Sequence, residues 1–304
     1  MDYSILIPTC NRPELLERCL RVLLPQAKLG EGRFAPVWIT DDGADEATRA
    51  MLAREFPEIG WTRGPRRGPA ANRNHGARQV TSEWIVFLDD DCLPEPGLLK
   101  AYADKLANHP DRKVLEGRIL PDRPRHHPLE ECPINDKGGN LWSCNFAIRR
   151  DLFLEMEGFD ERFPSAAGED WEFRYRLQKN GILIDFVPEA TVIHPWRKRS
   201  WRGHWEQHGR LLEGSLRVLR IHPELLTTWR ASNVAKDVVR YYVRTFFSEL
   251  RRCGYSALIY QPMFVAIQAR RWWRHWSLES GWERGDDHLK STSEGNQGAA
   301  RPPR

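Results

Sequence analysis

What most constrains this 304-residue chain is a repeated juxtaposition: short, continuously apolar runs, two of which stop abruptly at acidic residues. Ser4-Ile5-Leu6-Ile7-Pro8 comes first, Val37-Trp38-Ile39-Thr40 ends at Asp41-Asp42-Gly43, and Trp84-Ile85-Val86-Phe87-Leu88 ends at Asp89-Asp90-Asp91. A run that is apolar at every position has no face to offer water, so each predicts a strand buried on both sides. Helical segments separate them. Asn11 is the expected cap of the first, with Pro13 in its opening turn and Glu14 in capping-box spacing; 45–56 and 69–80 read as two more. The alternation predicts an α/β fold, a mostly parallel open sheet with helices on both faces. Ligands of such sheets bind at the carboxyl ends of strands, where the acidic clusters fall.

Further along, Gly168-Glu169-Asp170 opens a helix that runs through Trp171 to Asn180-Gly181, and Ile182 to Val187 reads as another strand, followed by His194. The stretch 118–137, rich in Arg and Pro, reads as a long irregular loop in which His126 and His127 are solvated. Six cysteines (Cys10, Cys19, Cys92, Cys132, Cys144, Cys253) lack any CxxC pair or regular spacing, which predicts reduced thiols rather than a disulfide framework or zinc ribbon. No basic segment or cleavage site precedes the first strand, and the longest apolar stretch, 255–269, is broken by Gln261, Pro262 and Gln268, so neither export nor a membrane span is expected. The expected location is cytoplasmic.

Three carboxylates at the end of one buried strand raise each other's pKa unless a cation neutralises them. Asp89 and Asp91, two apart on a chain leaving a strand, are suited to a divalent ion, Mn²⁺ or Mg²⁺, whose open positions hold a diphosphate. Taken singly, each cluster has a plainer reading. Asp89 to Asp91 is also a solvated turn, Asp42-Gly43 a tight turn, and Asp170 a cap for a helix beginning at Trp171.

The order of the motifs changes the weighting. Ile7-Pro8-Thr9-Cys10-Asn11-Arg12, Asp41-Asp42-Gly43, Arg73-Asn74-His75-Gly76, Phe87-Leu88-Asp89-Asp90-Asp91, Gly168-Glu169-Asp170-Trp171 and Pro188-Glu189-Ala190 with His194 together resemble the family 2 glycosyltransferases over residues 3–196. The resemblance implies the GT-A fold, Rossmann-like, and a metal-dependent, inverting transfer of sugar from a nucleoside diphosphate sugar, a UDP-sugar in the first instance, to a hydroxyl of a glycan or lipid-linked glycan. It implies a nucleotide site of Pro8, Thr9, Arg12, Asp41, Asp42, Arg73, Asn74, Asp89 and Asp90. The metal ligands would be Asp89, Asp91 and His194, and the base Asp170, with Glu169 second. Gly139, Asn140, Asn145 and Trp171 would form the donor-sugar and acceptor wall. Cys10 stands where many relatives carry Tyr, and a thiol offers a base less stacking surface.

Beyond residue 200 the composition changes. Residues 197–276 contain sixteen Lys and Arg against five Asp and Glu, interleaved with Trp201, Trp205, Trp229, Trp272, Trp273 and Trp276, while the rest of the chain is net acidic. The expected organisation is a catalytic domain (1–200), a basic Trp-rich helical region (201–278) and a disordered tail (279–304). The helical region suits either peripheral contact with the inner face of a membrane or packing on the catalytic domain or a second subunit in a homo-oligomer. No nucleic-acid motif accompanies the charge. Two other functions fit the elements: a nucleotidyltransferase, against which the missing Gly-rich, Lys-containing loop speaks, and a degenerate binding platform, against which the three retained acidic motifs speak. A dinucleotide oxidoreductase is disfavoured because no GxGxxG follows the first strand.

Overall fold

The computed structural model describes residues 2–27, 35–227, 230–233, 235, 236, 239, 247 and 250–281. These fall into two compact units, one of residues up to 125 together with 130–199, the other of 126–129 with the residues from 200 on. The first is built on β1 (Tyr3–Thr9), buried at all seven positions. It pairs in parallel with β2 (Val37–Asp41) on one side and β4 (Trp84–Leu88) on the other, Ile7 opposite Ile39 and Ile5 opposite Val86.

Alternation of side chains along these strands divides the core in two. Ile5, Ile7, Val86 and Leu88 pack with Leu16 and Leu20 of α1 (Pro13–Leu23), Met51 and Leu52 of α2 (Ala47–Glu55) and Tyr102 of α4 (Leu98–Asn108). Leu6, Ile85 and Phe87 face the other way, onto α3 (Pro69–Gln79), α5 (Arg150–Glu155) and α6 (Glu169–Lys179). There Phe87 stacks on Phe146 at 4.7 Å between ring centroids, with Phe153, Phe159 and Phe173 in edge or tilted contact around them. Gly76 brings α3 close to the sheet, since a Cβ there would lie 2.5 Å from a methyl of Leu6.

The sheet has eight strands in the order β3-β2-β1-β4-β8-β6-β9-β5, where β3 is Gly60–Arg63, β5 Leu93–Pro94, β6 Val114–Pro121, β8 Asn145–Arg149 and β9 Ile184–His194. It is the open α/β sheet expected, with β8 inserted antiparallel between β4 and β6. Several local readings need correction. Asn11 does not cap α1: it sits in the left-handed region (φ 55°) and its side chain accepts the Ala44 N–H at 2.9 Å, tying the end of β1 to the loop after β2. Strand β3 lies between α2 and α3, where its four half-buried residues offered no apolar run to find. The stretch 118–137 is less irregular than its composition suggests, because β6 runs through Arg118 to Pro121 and Glu130–Glu131 form β7, paired with β10 (Arg197–Lys198). His127 is half-buried, with Nδ1 accepting the Leu129 N–H at 3.0 Å. β9 reaches His194 after a bulge that releases 188–190 from the pairing with β6.

Asn145, expected on the wall of the site, is instead the polar pin of this sheet. It is fully buried; its amide donates to the carbonyls of Arg118 and Ala190, each at 2.9 Å, and its oxygen accepts the Tyr102 hydroxyl at 2.8 Å. One amide therefore joins β8, β6, β9 and α4, and its place on an inward-facing strand position leaves no side for a sugar. In the second unit α7 (Trp201–Ile221), capped by Ser200, and α8 (Ser256–Ser280) run side by side in one direction, His204 meeting Phe264 and Glu213 meeting Arg274. No helix among the described residues is long and apolar enough to cross a membrane. Trp229 and residues 282–304 lie outside the described residues. All six cysteines are free thiols. Replacing Asn145 by Ala removes three buried hydrogen bonds and strands their partners; a loss of about 2–4 kcal/mol in denaturant unfolding is expected, and a loss near zero would show that Asn145 is not the pin.

Candidate active site

Because β1, β2 and β4 are parallel, Thr9, Asp41 and Leu88 end at one edge of the sheet. The chain leaving that edge encloses a cleft of about 320 Å³. Pro8, Thr9, Arg12, Asp42, Arg73, Asp89, Asp91 and His194 all line it, so eight of the residues singled out in the sequence come together. The neutralisation of the acidic triplet differs from expectation. Its three carboxylates point three ways, and each meets an arginine of the protein.

Asp89 accepts from Nη2 of Arg73 at 2.8 Å, and the same guanidinium reaches Glu169 at 3.3 Å through Nη1 while lying over the Phe159 ring. Arg73 is thus a buried cation between the end of β4 and the start of α6. Burial acts against its charge, but Asp89, Asp170 and Glu169 outweigh it and keep the guanidinium protonated. Burial likewise pushes the Asp89 carboxyl up, and the charge and hydrogen bond of Arg73 bring it below its ordinary value. Asp90 turns inward. It is fully buried, accepts the Thr9 hydroxyl at 2.7 Å and pairs with Arg12 at 3.0 Å, and burial lifts its pKa to about 6. It does not line the cleft and so is no nucleotide ligand there; it fixes Thr9 and Arg12, which do.

Asp91 meets Arg197, a second contact with Arg12 at 3.7 Å, and Nε2 of His194 at 3.4 Å. The Pro195 carbonyl lies 3.1 Å from His194 Nδ1. A carbonyl only accepts, so this bond places a proton on Nδ1 and, in the neutral ring, leaves the Nε2 lone pair towards Asp91. Burial opposes the charged ring, but contact with Cys132 and the negative field of Asp89 raise its pKa to about 9. Asp91, Cys92 and His194 bring ligand atoms within 4.8 Å of one another. The Cys92 thiol donates to the Cys144 carbonyl at 3.7 Å and is held protonated by that bond and by burial, so the oxygen and nitrogen donors are the ones suited to Mn²⁺ or Mg²⁺. Oδ1 of Asp91 has no hydrogen-bond donor, as a ligand oxygen requires.

The remaining predicted residues sit elsewhere. Asp42 lines the cleft, its carboxylate accepting the Arg66 N–H at 2.8 Å, whereas Asp41 is buried beneath it and accepts the Gly43 N–H at 2.7 Å. Asn74 faces away from the nucleotide cleft: its amide brackets Phe159, donating to the carbonyl at 2.7 Å and accepting the N–H at 2.9 Å. Asp41 turns inward by the alternation of a strand end, and Asn74 by its place on α3, where Asn72, Arg73 and Asn74 are all buried. Glu169 and Asp170 occupy the first turn of α6, where Gly168 (φ 94°) is the cap residue, so the helix begins two residues before Trp171. Glu169 is buried and raised to about 8 by burial and by Asp170. Asp170 is raised as well, burial outweighing Arg73 and Ser143. Its Oδ2 accepts the Ser143 hydroxyl at 3.3 Å, and its Oδ1 has no hydrogen-bond partner. Trp171 is half-buried beside it.

Gly139 and Asn140 act through their backbone. Their N–H groups, with that of Leu141, converge on the buried carboxylate of Glu116, which also accepts from the Asn135 amide at 2.7 Å. Three residues that sequence reasoning passed over thus carry weight. Glu116 holds the loop leading to Ser143. Asn72 laces the ends of β1 and β2 to α3 through Thr40 and the Thr9 carbonyl. Arg197 meets Asp91. A charged residue inside an apolar run (Val114-Leu115-Glu116) and a cation three places after His194 were the available signals.

Comparison with known proteins bears on the family and the fold. Residues 123–195 match the description "N-terminal domain of galactosyltransferase". The chain is similar to the validoxylamine A glucosyltransferase of Streptomyces hygroscopicus subsp. limoneus (27% identical, 76% of this chain, 59% of that protein). It is also similar to the GalNAc(5)-diNAcBac-PP-undecaprenol beta-1,3-glucosyltransferase of Campylobacter jejuni (28%, 88% of each). The chain spans about three fifths of the length of the validoxylamine A glucosyltransferases it matches. Among solved structures its fold is similar to the mannosyltransferase PcManGT of Pyrobaculum calidifontis in complex with GDP-Man and Mn²⁺ (TM-score 0.54, 18% identity, 73% of this chain and 64% of that one). S. aureus TarS 1-349 in complex with UDP is similar too (TM-score 0.54, 15% identity, 94% and 92%). These neighbours have the GT-A fold. With its opening half, residues 4–155, matching the description "Glycosyl transferase family 2", the chain belongs to that family.

Proposed function

We propose that residues 1–200 form an inverting glycosyltransferase that transfers a sugar from a nucleoside diphosphate sugar to an acceptor hydroxyl. The observation that carries this reading is the meeting of Asp89, Asp91 and His194 with three arginines in one cleft, joined through Arg73 and Glu169 to the helix that bears Asp170. Pro8, Thr9 and Asp42 line the nucleoside end, where the Asp42 carboxylate accepts from a base imide or a ribose hydroxyl. Arg12, Arg73 and Arg197 give the cleft the positive charge an anionic diphosphate needs. Asp91 and His194, with Asp89, would hold Mn²⁺ or Mg²⁺. When bound, the cation neutralises the leaving diphosphate and so assists its departure from the sugar.

Asp170 is the better base of the pair. Glu169 is buried and tied to Arg73, whereas Asp170 keeps one oxygen without a donor and is made more basic by burial. Ser143 orients it. Deprotonation of the acceptor there, on the face of the sugar opposite the diphosphate, gives inversion. PcManGT and TarS have been solved with GDP-Man and UDP-GlcNAc, which supports a nucleoside diphosphate sugar as donor; a UDP-sugar is our first choice. The Campylobacter relative is named for a PP-undecaprenol saccharide, which favours a lipid-linked glycan as acceptor and action at the inner face of a membrane.

Asp170→Asn is expected to lower turnover by about 10²–10⁴-fold while leaving the donor Kd unchanged in calorimetry; full transfer by this variant excludes Asp170 as base. Chelation should abolish Mn²⁺-supported donor hydrolysis and added Mn²⁺ restore it, and activity indifferent to EDTA removes the metal from the scheme. Because the folded pKa of Glu169 is raised to about 8, its contribution to stability is complete below the unfolded value and lost as pH rises through 8. Glu169→Gln should therefore melt several degrees above the parent at pH 9 and level with it near pH 4, a difference that differential scanning calorimetry reads directly.

A further inference from the structure

Helix α8 carries a face that the catalytic reading does not use. Its exposed positions recur at helical spacing: Tyr255 in the turn before it, then Leu258, Ile259, Pro262, Val265, Ala266, Ala269, Trp272, Trp273 and Trp276. Up to Trp276 every exposed position of the helix is apolar, and several are widely open, Tyr255 at 84%, Ile259 at 73% and Trp273 at 50%. The opposite face is spent on α7, through Phe264 against His204, with Ala257, Ile267 and Leu278 buried. A stripe of this kind, about 33 Å long at the helical rise, exceeds what a soluble surface leaves uncovered without use.

The charges around the stripe identify what covers it. Exposed Arg251 and Arg252 stand at its amino end, whereas Arg270 and Arg274 reach back to α7, over the Trp205 ring and onto Glu213. Between 250 and 278 the helix holds no carboxylate, within a region that carries a surplus of eleven positive charges. Tryptophan favours the boundary between hydrocarbon and headgroup, and arginine the phosphates beside it. We infer that the 255–276 face of α8 lies flat on a bilayer bearing anionic headgroups, its apolar side chains in the headgroup boundary and the exposed Arg251 and Arg252 on lipid phosphate. The helix does not cross the bilayer. This deepens the reading of a lipid-linked acceptor given above and rests on it only for its purpose.

The test uses the full chain and two sets of vesicles, phosphatidylcholine alone and the same lipid with about one third phosphatidylglycerol. Co-sedimentation should be at least about tenfold stronger on the anionic vesicles and fall with salt, with a blue shift of tryptophan emission. An Ile259→Glu, Trp273→Glu double variant, changed only at exposed positions, should lose about tenfold or more of that binding while keeping its melting temperature and its donor Kd. Absence of vesicle binding, equal binding to both vesicle types, or binding undiminished in the variant overturns the proposal. So does a parent that is a dimer in light scattering and becomes a monomer in the variant, since a second copy then covers the stripe. Failure of donor hydrolysis with vesicle binding intact overturns the catalytic reading alone.

Discussion

The guanidinium of Arg73 is the contact on which the rest of the site depends. It comes from α3, is almost wholly enclosed, and bridges carboxylates eighty residues apart in sequence, Asp89 at the end of β4 and Glu169 at the start of α6. A buried cation of this kind is tolerated only when its hydrogen bonds are met, and removing the Asp89 carboxylate leaves an uncompensated charge. The cost binds three elements into one arrangement. Asp170, next to Glu169, is placed by the same contact, so the spacing between the end of β4 and the start of α6 is set by a residue that touches both.

Counter-charge within the cleft follows the same logic on a smaller scale. Three consecutive aspartates would repel one another if they shared a direction, and the turn after β4 instead sends them to Arg73, to Arg12 and to Arg197 with His194. The folded chain therefore balances its own acidic triplet. Asp91 and His194 thus stand in surroundings already supplied with positive charge by Arg12 and Arg197.

Much of this was legible in the sequence, and the reason is periodicity. Strands buried on both sides write themselves as unbroken apolar runs, so β1, β2 and β4 and the acidic residues at their ends could be read directly, as could the edge of the sheet where a ligand binds. What could not be read was direction. Asp41 against Asp42, Asp90 against its neighbours, and Asn74 against Arg73 differ only in which way a side chain turns, and adjacent positions of like chemistry give no sign of it. β3 and the course of 118–121 were hidden because half-buried strands lack an apolar signature. The role of Asn145 was hidden because its partners, Tyr102, Arg118 and Ala190, are distant in sequence.

The Glu116 nest bears on how such a protein can change over time. The loop from Gly138 to Leu141 is held by its peptide N–H groups, and only the Asn140 amide adds a side-chain tie, to Asn135 at 3.1 Å. Anchoring through the backbone separates the shape of the loop from the identity of its side chains. Substitution there is restricted by the left-handed dihedrals at Gly138, Gly139 and Leu141, by the buried Leu141 side chain, by Phe186 against Gly138 and by the need for an N–H, which bars proline; Asn140 is the position least bound by volume. The segment that leads to Ser143 can thus change its side chain at Asn140 while the peptide N–H groups and Leu141 keep its path, a division of labour between backbone and side chain.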